Sequence, residues 1–212
     1  MELRFIACAA LVSAALGTAG NPACADAAAA GEAVPQTSSA TPASGRTRTF
    51  IPSGFTVPTS VEAPGFKLVP LGPLLVDIDY QAYMSSIEHL QRTFTRSTDW
   101  PHANISSADA MRDMETEQAR FHNRESFAYA VLTPDGSRER GCVYVYPSTV
   151  EGYDAVVRMW VTKAEYDAGF DAELYEWATR WIRTDWPFRR VAYPGRAMDW
   201  STWDSIVAAN TP

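Results

Sequence analysis

Between Tyr166 and Asp171 the chain reads Tyr-Asp-Ala-Gly-Phe-Asp. Gly169 stands between a strand-like run, Ala155 to Val161, and an amphipathic run in which Leu174, Trp177, Ala178, Trp181 and Ile182 recur at helical spacing. A strand that feeds a helix N-terminus presents free backbone N–H groups at the positive end of the helix dipole, and that arrangement can bind a phosphate. Asp167 and Asp171 flank the glycine. Asp171 falls in the first helical turn, where a carboxylate steadies the helix but occupies the field that a phosphate needs. At about 5 Å such a carboxylate opposes an anion by on the order of a kcal/mol or more. The segment thus combines a phosphate scaffold with charges that repel a phosphate.

A second short motif is Tyr193-Pro194-Gly195-Arg196. Pro and Gly set a turn, and Arg196 can then meet either a carboxylate or a bound anion, since guanidinium suits both. Either it contacts a ligand or it ties the last helix to the sheet. His122-Asn123-Arg124-Glu125 reads as a cationic helix end complementing the dipole. Glu88-His89 lacks a further ligand at metal spacing. No HExxH, paired-Cys motif, P-loop or nucleophile elbow occurs, so no metal is expected. Cys142 lies in the apolar run GCVYVYP and reads as a buried structural thiol.

These groups sit in an acidic chain. Eighteen Lys and Arg stand against 25 Asp and Glu, a formal charge of −7, with no basic run, which argues against a nucleic-acid surface. The oligomeric state is not encoded in any recognisable pattern. Arg4, the apolar run Phe5 to Leu16 and Ala-x-Ala patterns ending at Ala25 or Ala27 read as a secretory signal, residues 1–27. The expected location is periplasmic or extracellular; a cytoplasmic protein with an Ala-rich tail is the alternative. The apolar run is too short to span a bilayer. Residues 28–48 are Ala, Ser, Thr, Pro and Gly and read as a flexible linker. The domain is expected over residues 49–212.

The elements that must position the candidate residues follow from periodicity. Pro52, Pro58 and Pro64 break Phe55 to Phe66 into an extended strap. Phe66 to Leu71 is a strand. Tyr80, Tyr83, Met84, Ile87, Leu90 and Phe94 make one helix with Asp77 or Asp79 at its start. Ser106 or Ser107 caps a second helix carrying Met111, Met114 and Phe121 on one face. Ser126–Leu132 and Arg140–Tyr146 form a hairpin over Pro134-Asp135-Gly136. Ala155–Val161 is a strand, followed by the Leu174 helix, a short strand at Val191–Tyr193, and a last helix over Trp200–Ala209. The order β-α-α-β-β-β-α-β-α is an α+β layout.

This order, with the strings GFTVPTSVEAPGFKLVPL, DYQAYMSSIEHL, SFAYAVLTPDGSRERGCVYVYP, DAVVRMWV and WPFRRVAYPGR, resembles the GCN5-related N-acetyltransferase (acyl-CoA N-acyltransferase) superfamily, closest to an uncharacterised bacterial group within it. The resemblance covers roughly Phe50 to Trp203. It implies an acetyltransferase-like mixed sheet with splayed central strands and flanking helices. It further implies transfer of an acyl group from acetyl-CoA or another acyl-CoA to an amine acceptor of unknown identity. The family's pyrophosphate loop reads Gln/Arg-x-x-Gly-x-Gly/Ala. On that pattern Gly169 matches the first glycine, while Tyr166 replaces Gln or Arg and Asp171 replaces the small residue. The resemblance places the cofactor against Trp160 and Val161 and on Ala168, Gly169, Phe170 and Asp171. It assigns Glu165 as the general base and Tyr193 as the acid. Because the loop departs from the pattern, a non-catalytic, exported binding or interaction domain on the same scaffold is the alternative.

Overall fold

The computed structural model describes residues 50–210. The signal and linker expected over 1–27 and 28–48 lie outside the described residues. One sheet carries the fold, with strands in the order β1 (Val61–Ala63), β2 (Phe66–Pro70), β3 (Phe127–Leu132), β4 (Glu139–Pro147), β5 (Ala155–Val161) and β6 (Val191–Ala192). The first five pair antiparallel and β6 lies parallel to β5. The α+β mixed sheet is as expected.

Side-chain alternation sorts the core onto the two faces of the sheet. In β3, Phe127, Tyr129 and Val131 point to one face and Ala128, Ala130 and Leu132 to the other. The first face takes Leu174, Ala178, Trp181 and Ile182 of α5 (Phe170–Asp185), the helix following the Gly169 loop. Trp177 and Trp181 stack there at 5.3 Å, so they are core aromatics. The second face takes Ala82 and Tyr83 of α1 (Val76–Met84), Leu90 of α2 (Ile87–Leu90) and Met114 of α3 (Ser107–His122). α3 begins with a capping box, in which Ser106 accepts from the Asp109 amide and Asp109 accepts from the Ser106 amide. Trp203 of α6 (Trp200–Asn210) closes a small third cluster with Val150, Val156 and Ala192. Among the described residues no helix is long and apolar enough to cross a membrane.

Three elements differ from the sequence reading. The strap ends in a strand, β1, that pairs with β2 from Val61↔Leu68 to Ala63↔Phe66. The helix expected from Asp77 or Asp79 to Phe94 is interrupted at Ser85 and Ser86. There Ser85 Oγ donates to the Ala82 carbonyl at 2.6 Å, and Ser86 Oγ accepts from the Lys163 amide at 2.8 Å. These side chains draw the backbone out of the helix, and the chain resumes as α2 and a wide π-type turn over Gln91–Thr95. The loop before α5 is shorter than read: Thr162 caps a helical turn, α4 (Lys163–Asp167), so Tyr166 and Asp167 are helical and only Ala168 and Gly169 link α4 to α5.

Candidate functional site

β5 and β6 are paired only at Ala155↔Val191 and Val156↔Ala192. Beyond that β5 runs on to Val161 while the segment after Ala192 turns away, leaving one edge of β5 facing a gap. The gap opens into a cleft of about 250 Å³. The gap lies between the last two strands of the sheet order rather than at its centre. The cleft is lined by Val157, Arg158 and Met159 of β5 and by Arg92, Thr93 and Phe94 of the π-type turn. Tyr166, Asp171 and the turn Pro194-Gly195-Arg196 complete it together with Trp200. The wide turn is thus what brings Arg92 and Phe94 to the site.

The start of α5 reaches this cleft. Gly169 is its N-cap at φ 84°, no side chain caps the helix, and a Cβ at Gly169 would meet nothing within 4 Å. The Gly169 amide is taken by the Tyr166 carbonyl at 3.0 Å, which leaves the first amides of the helix proper, from Phe170 on, without intrahelical acceptors. Asp171 does not stand alone. Arg196 grips it with both terminal nitrogens, one pair at 2.7 Å. Burial alone would lower the guanidinium pKa, and the bond to Asp171 outweighs that and raises it. The carboxylate that looked repulsive in the sequence is therefore neutralised in place. Arg196 ties the turn after β6 to α5 rather than the last helix to the sheet, and it also lines the cleft.

The remaining charge is positive. Arg158 donates to the Phe94 carbonyl and lies 4.4 Å from the Phe94 ring centroid and 5.1 Å from that of Trp200. Arg96 covers Trp200 at 4.2 Å and is held by Asp204. Gly195, at φ 76°, lets Trp200 approach so closely that a Cβ would fall 2.4 Å from its Nε1. Lining arginines 92, 158 and 196 face a single lining carboxylate, Asp171, so the cleft is suited to an anion.

Of the residues expected at the site, Asp171 lines the cleft, and Ala168, Gly169 and Phe170 form the link and first turn leading to it. Phe170's ring is turned into the core beneath Arg140, 3.3 Å from the guanidinium carbon. Trp160 and Val161 bring their backbone to the open strand edge, but their side chains are buried on opposite faces of the sheet. The Trp160 indole donates to the Tyr144 hydroxyl at 3.3 Å. Glu165 is 6% exposed and outside the lining. Arg140 donates to one of its oxygens at 2.6 and 2.9 Å, and Arg138 to the other at 2.7 Å. Burial would raise its pKa, but these two guanidinium groups outweigh that and hold it below the usual range. A carboxylate so stabilised is a poor proton acceptor, so the position of Glu165 lends the base role no support. Tyr193 packs edge-on against Tyr175 at 5.8 Å, outside the lining, and burial pushes its hydroxyl up to about 12. Arg92, Phe94 and Trp200 were not foreseen as site residues; they come from distant parts of the chain, and no local spacing marks them.

No family model matches the sequence, and no curated protein matches it significantly. Solved structures do match. The ribosomal-protein-S5-alanine acetyltransferase from Vibrio fischeri superposes with a TM-score of 0.53 at 12% identity, covering 72% of this chain and 82% of that one. A ribosomal L7/L12 alpha-N-protein acetyltransferase in complex with coenzyme A matches with a TM-score of 0.50 at 14% identity, over 71% of this chain and 82% of that one. A structure from Vibrio cholerae, described as a ribosomal-protein-serine acetyltransferase, matches at 14% identity with a TM-score of 0.46, over 58% of this chain and 65% of that one, just under two thirds of its length. With its sheet order and the parting of β5 from β6, the chain has the fold of the GCN5-related acetyltransferases.

Proposed function

We propose that the protein is an acyl-CoA-dependent N-acyltransferase that binds its cofactor in the cleft between β5 and β6. The observation that carries this reading is the divergence of those strands with an uncapped helix N-terminus at the mouth of the gap. The residues present fit the cofactor. The amides at the start of α5 and the arginines at 92 and 196 would take the pyrophosphate. The unpaired edge of β5 from Val157 to Val161 would take the amides of the pantetheine arm. Arg196 offsets Asp171, so cation side chains here stand in for the second small residue of the usual loop. Coenzyme A supplies an acyl thioester when bound; the chain supplies orientation, a positive field and a cleft walled by Phe94 and Trp200.

Isothermal titration with coenzyme A and acetyl-CoA tests this. Binding is expected below about 1 mM, the upper end of ordinary enzyme–ligand affinities; no heat at that concentration would sink the reading. Tight binding without acyl transfer to any amine would instead favour a non-catalytic binding domain. Such an outcome would fit the pairing of the one lining carboxylate, Asp171, with Arg196. We further propose that the protein is exported, which the apolar run Phe5 to Leu16 and the Ala-x-Ala patterns after it support. Amino-terminal sequencing of the mature protein tests it, with a new terminus after Ala25 or Ala27 expected and an intact Met1 against it.

A further inference from the structure

On the face of the sheet opposite α5 lies a group of chemically active side chains that the cleft does not use. Asp79 comes from α1, and Glu139 and Cys142 come from β4. They are 5%, 1% and 0% exposed. One ligand atom from each lies within 4.8 Å of the others, a set whose spacing could hold a metal ion. The Cys142 sulfur is 2.9 Å from Glu139 Oε1 and 3.8 Å from Asp79 Oδ1. Among the described residues neither carboxylate is paired with a basic side chain. Asp113 and Glu117 of α3 add to the negative field at Asp79. The cations nearby on α3 are engaged elsewhere, Arg120 with Glu117 at 2.7 Å and Arg112 with Asp109.

Buried carboxylates without cations are strongly disfavoured. Something positive must accompany this pair, either protons or a metal ion. One unsatisfied hydroxyl outside the three residues favours the metal ion. Tyr83 lies one helical turn from Asp79, and its hydroxyl is buried with no hydrogen-bond partner. Asp79 is the leading charge acting on that hydroxyl. The Tyr83 hydroxyl oxygen thus keeps free lone pairs. The Glu139 and Asp79 carboxyls also hydrogen-bond to each other, so a shared proton is the competing occupant of the cluster. Tetrahedral zinc, with Zn–S of about 2.3 Å and Zn–O of about 2.0 Å, separates sulfur and oxygen ligands by about 3.5 Å. The observed 2.9 and 3.8 Å bracket that spacing.

We infer that Asp79, Glu139 and Cys142 form a closed binding site for a thiophilic divalent cation of the zinc class, with the Tyr83 hydroxyl beside it. A thiolate with carboxylates selects zinc or a similar borderline ion over magnesium or calcium. The ion would pin α1 to β4, and binding would displace the thiol and carboxyl protons. Its ligands come from three buried positions with no open face to substrate, so its role is structural. This inference is independent of the function proposed for the cleft.

The test uses the full chain, stripped with a chelator and titrated with Zn2+ and with Co2+ as a spectroscopic probe. One ion per chain is expected, with a thiolate-to-cobalt charge-transfer band and a melting temperature that rises by about 5 °C or more on metal addition. Cys142→Ser should abolish the band. If that variant does not fold, as judged by circular dichroism, Asp79→Asn serves instead and should keep the band but weaken affinity by about tenfold or more. Absence of stoichiometric uptake by the stripped protein would overturn the inference. So would a cobalt spectrum unchanged in Cys142→Ser, which would place the metal elsewhere, or an affinity unchanged in Asp79→Asn. A melting temperature indifferent to metal would assign the cluster to shared protons alone.

Discussion

At the scale of single residues the pair Arg196–Asp171 decides how the cleft meets an anion. The guanidinium is committed to a carboxylate at the start of α5, so part of its field is spent before any ligand arrives. Replacing Asp171 by Asn removes the negative charge and leaves Arg196 to the ligand. Coenzyme A should then bind about tenfold more tightly, equivalent to about 1.4 kcal/mol. Replacing Arg196 by Met does the reverse: Asp171 stands unpaired at the helix start, and affinity should fall by a similar factor. Titration of both variants and the double variant checks this; equal affinities in all would show that the pair does not face the ligand. Glu165 and Tyr193 belong to a different kind of residue. Glu165 is gripped by Arg138 and Arg140, and Tyr193 packs on Tyr175. Tyr193→Phe is therefore expected to leave cofactor affinity and acyl-transfer turnover unchanged. Glu165→Gln should lower the unfolding free energy without changing the turnover per folded molecule. A collapse of turnover with a normal melting curve in either variant would restore it as a proton-transfer residue.

At the scale of elements, α5 carries more of the fold than any other helix, because its apolar stripe covers the first sheet face. Leu174 is fully buried there against Trp181 and the strands. Leu174→Ala should cost about 2–5 kcal/mol, as large-to-small changes in packed cores do, read as a shift of the urea midpoint. A loss below about 1 kcal/mol would mean that α5 is not the central buttress. That stripe was legible in the sequence because 3.6-residue periodicity survives any tertiary context. So were β3, β4 and the turn between them, whose Gly136 adopts φ 76° as the Pro-Asp-Gly run demands. The break at Ser85–Ser86 was not legible, since it depends on Ser86 meeting the Lys163 amide from far along the chain. Nor was β1 seen: its residues alternate over too short a span, between prolines, and become a strand only by pairing with β2. The same asymmetry holds at the site. Gly169 and Arg196 announced themselves by local turn chemistry. The neutralisation of Asp171, the sequestration of Glu165 and the arrival of Arg92 and Trp200 are long-range facts.

At the scale of the whole molecule, the distribution of acids sets the pH at which the fold is most stable. Asp113 on α3 is raised to about 7, first by burial and then by the nearby charges of Glu117 and Asp109; Arg112 and Arg120 offset this only in part. Its unfolded value is 3.8. Between those two values the folded chain holds a proton that the unfolded chain has released. The stability contributed by the neutral carboxyl is therefore complete below pH 3.8, falls as pH rises, and is gone above about pH 7. The slope is at most about 1.4 kcal/mol per pH unit for one such group. Glu117, raised by burial against the opposing pull of Arg120, acts in the same sense. Glu165 acts oppositely: its lowered carboxyl favours the fold above the unfolded pKa and loses that contribution as pH falls through the folded one. Above the unfolded value of Glu165 only the declining trend remains, so stability is expected to fall from the acid range toward neutrality. Asp113→Asn separates them. Asparagine cannot ionise, so the variant should match the parent at pH 4 and exceed it in unfolding free energy at pH 8, flattening the decline between. Urea unfolding at both pH values checks this, with the metal content of the samples held constant. An unchanged slope would show that Asp113 keeps its charge in the folded chain, and that the acidic face between α1 and α3 is better solvated than its burial implies.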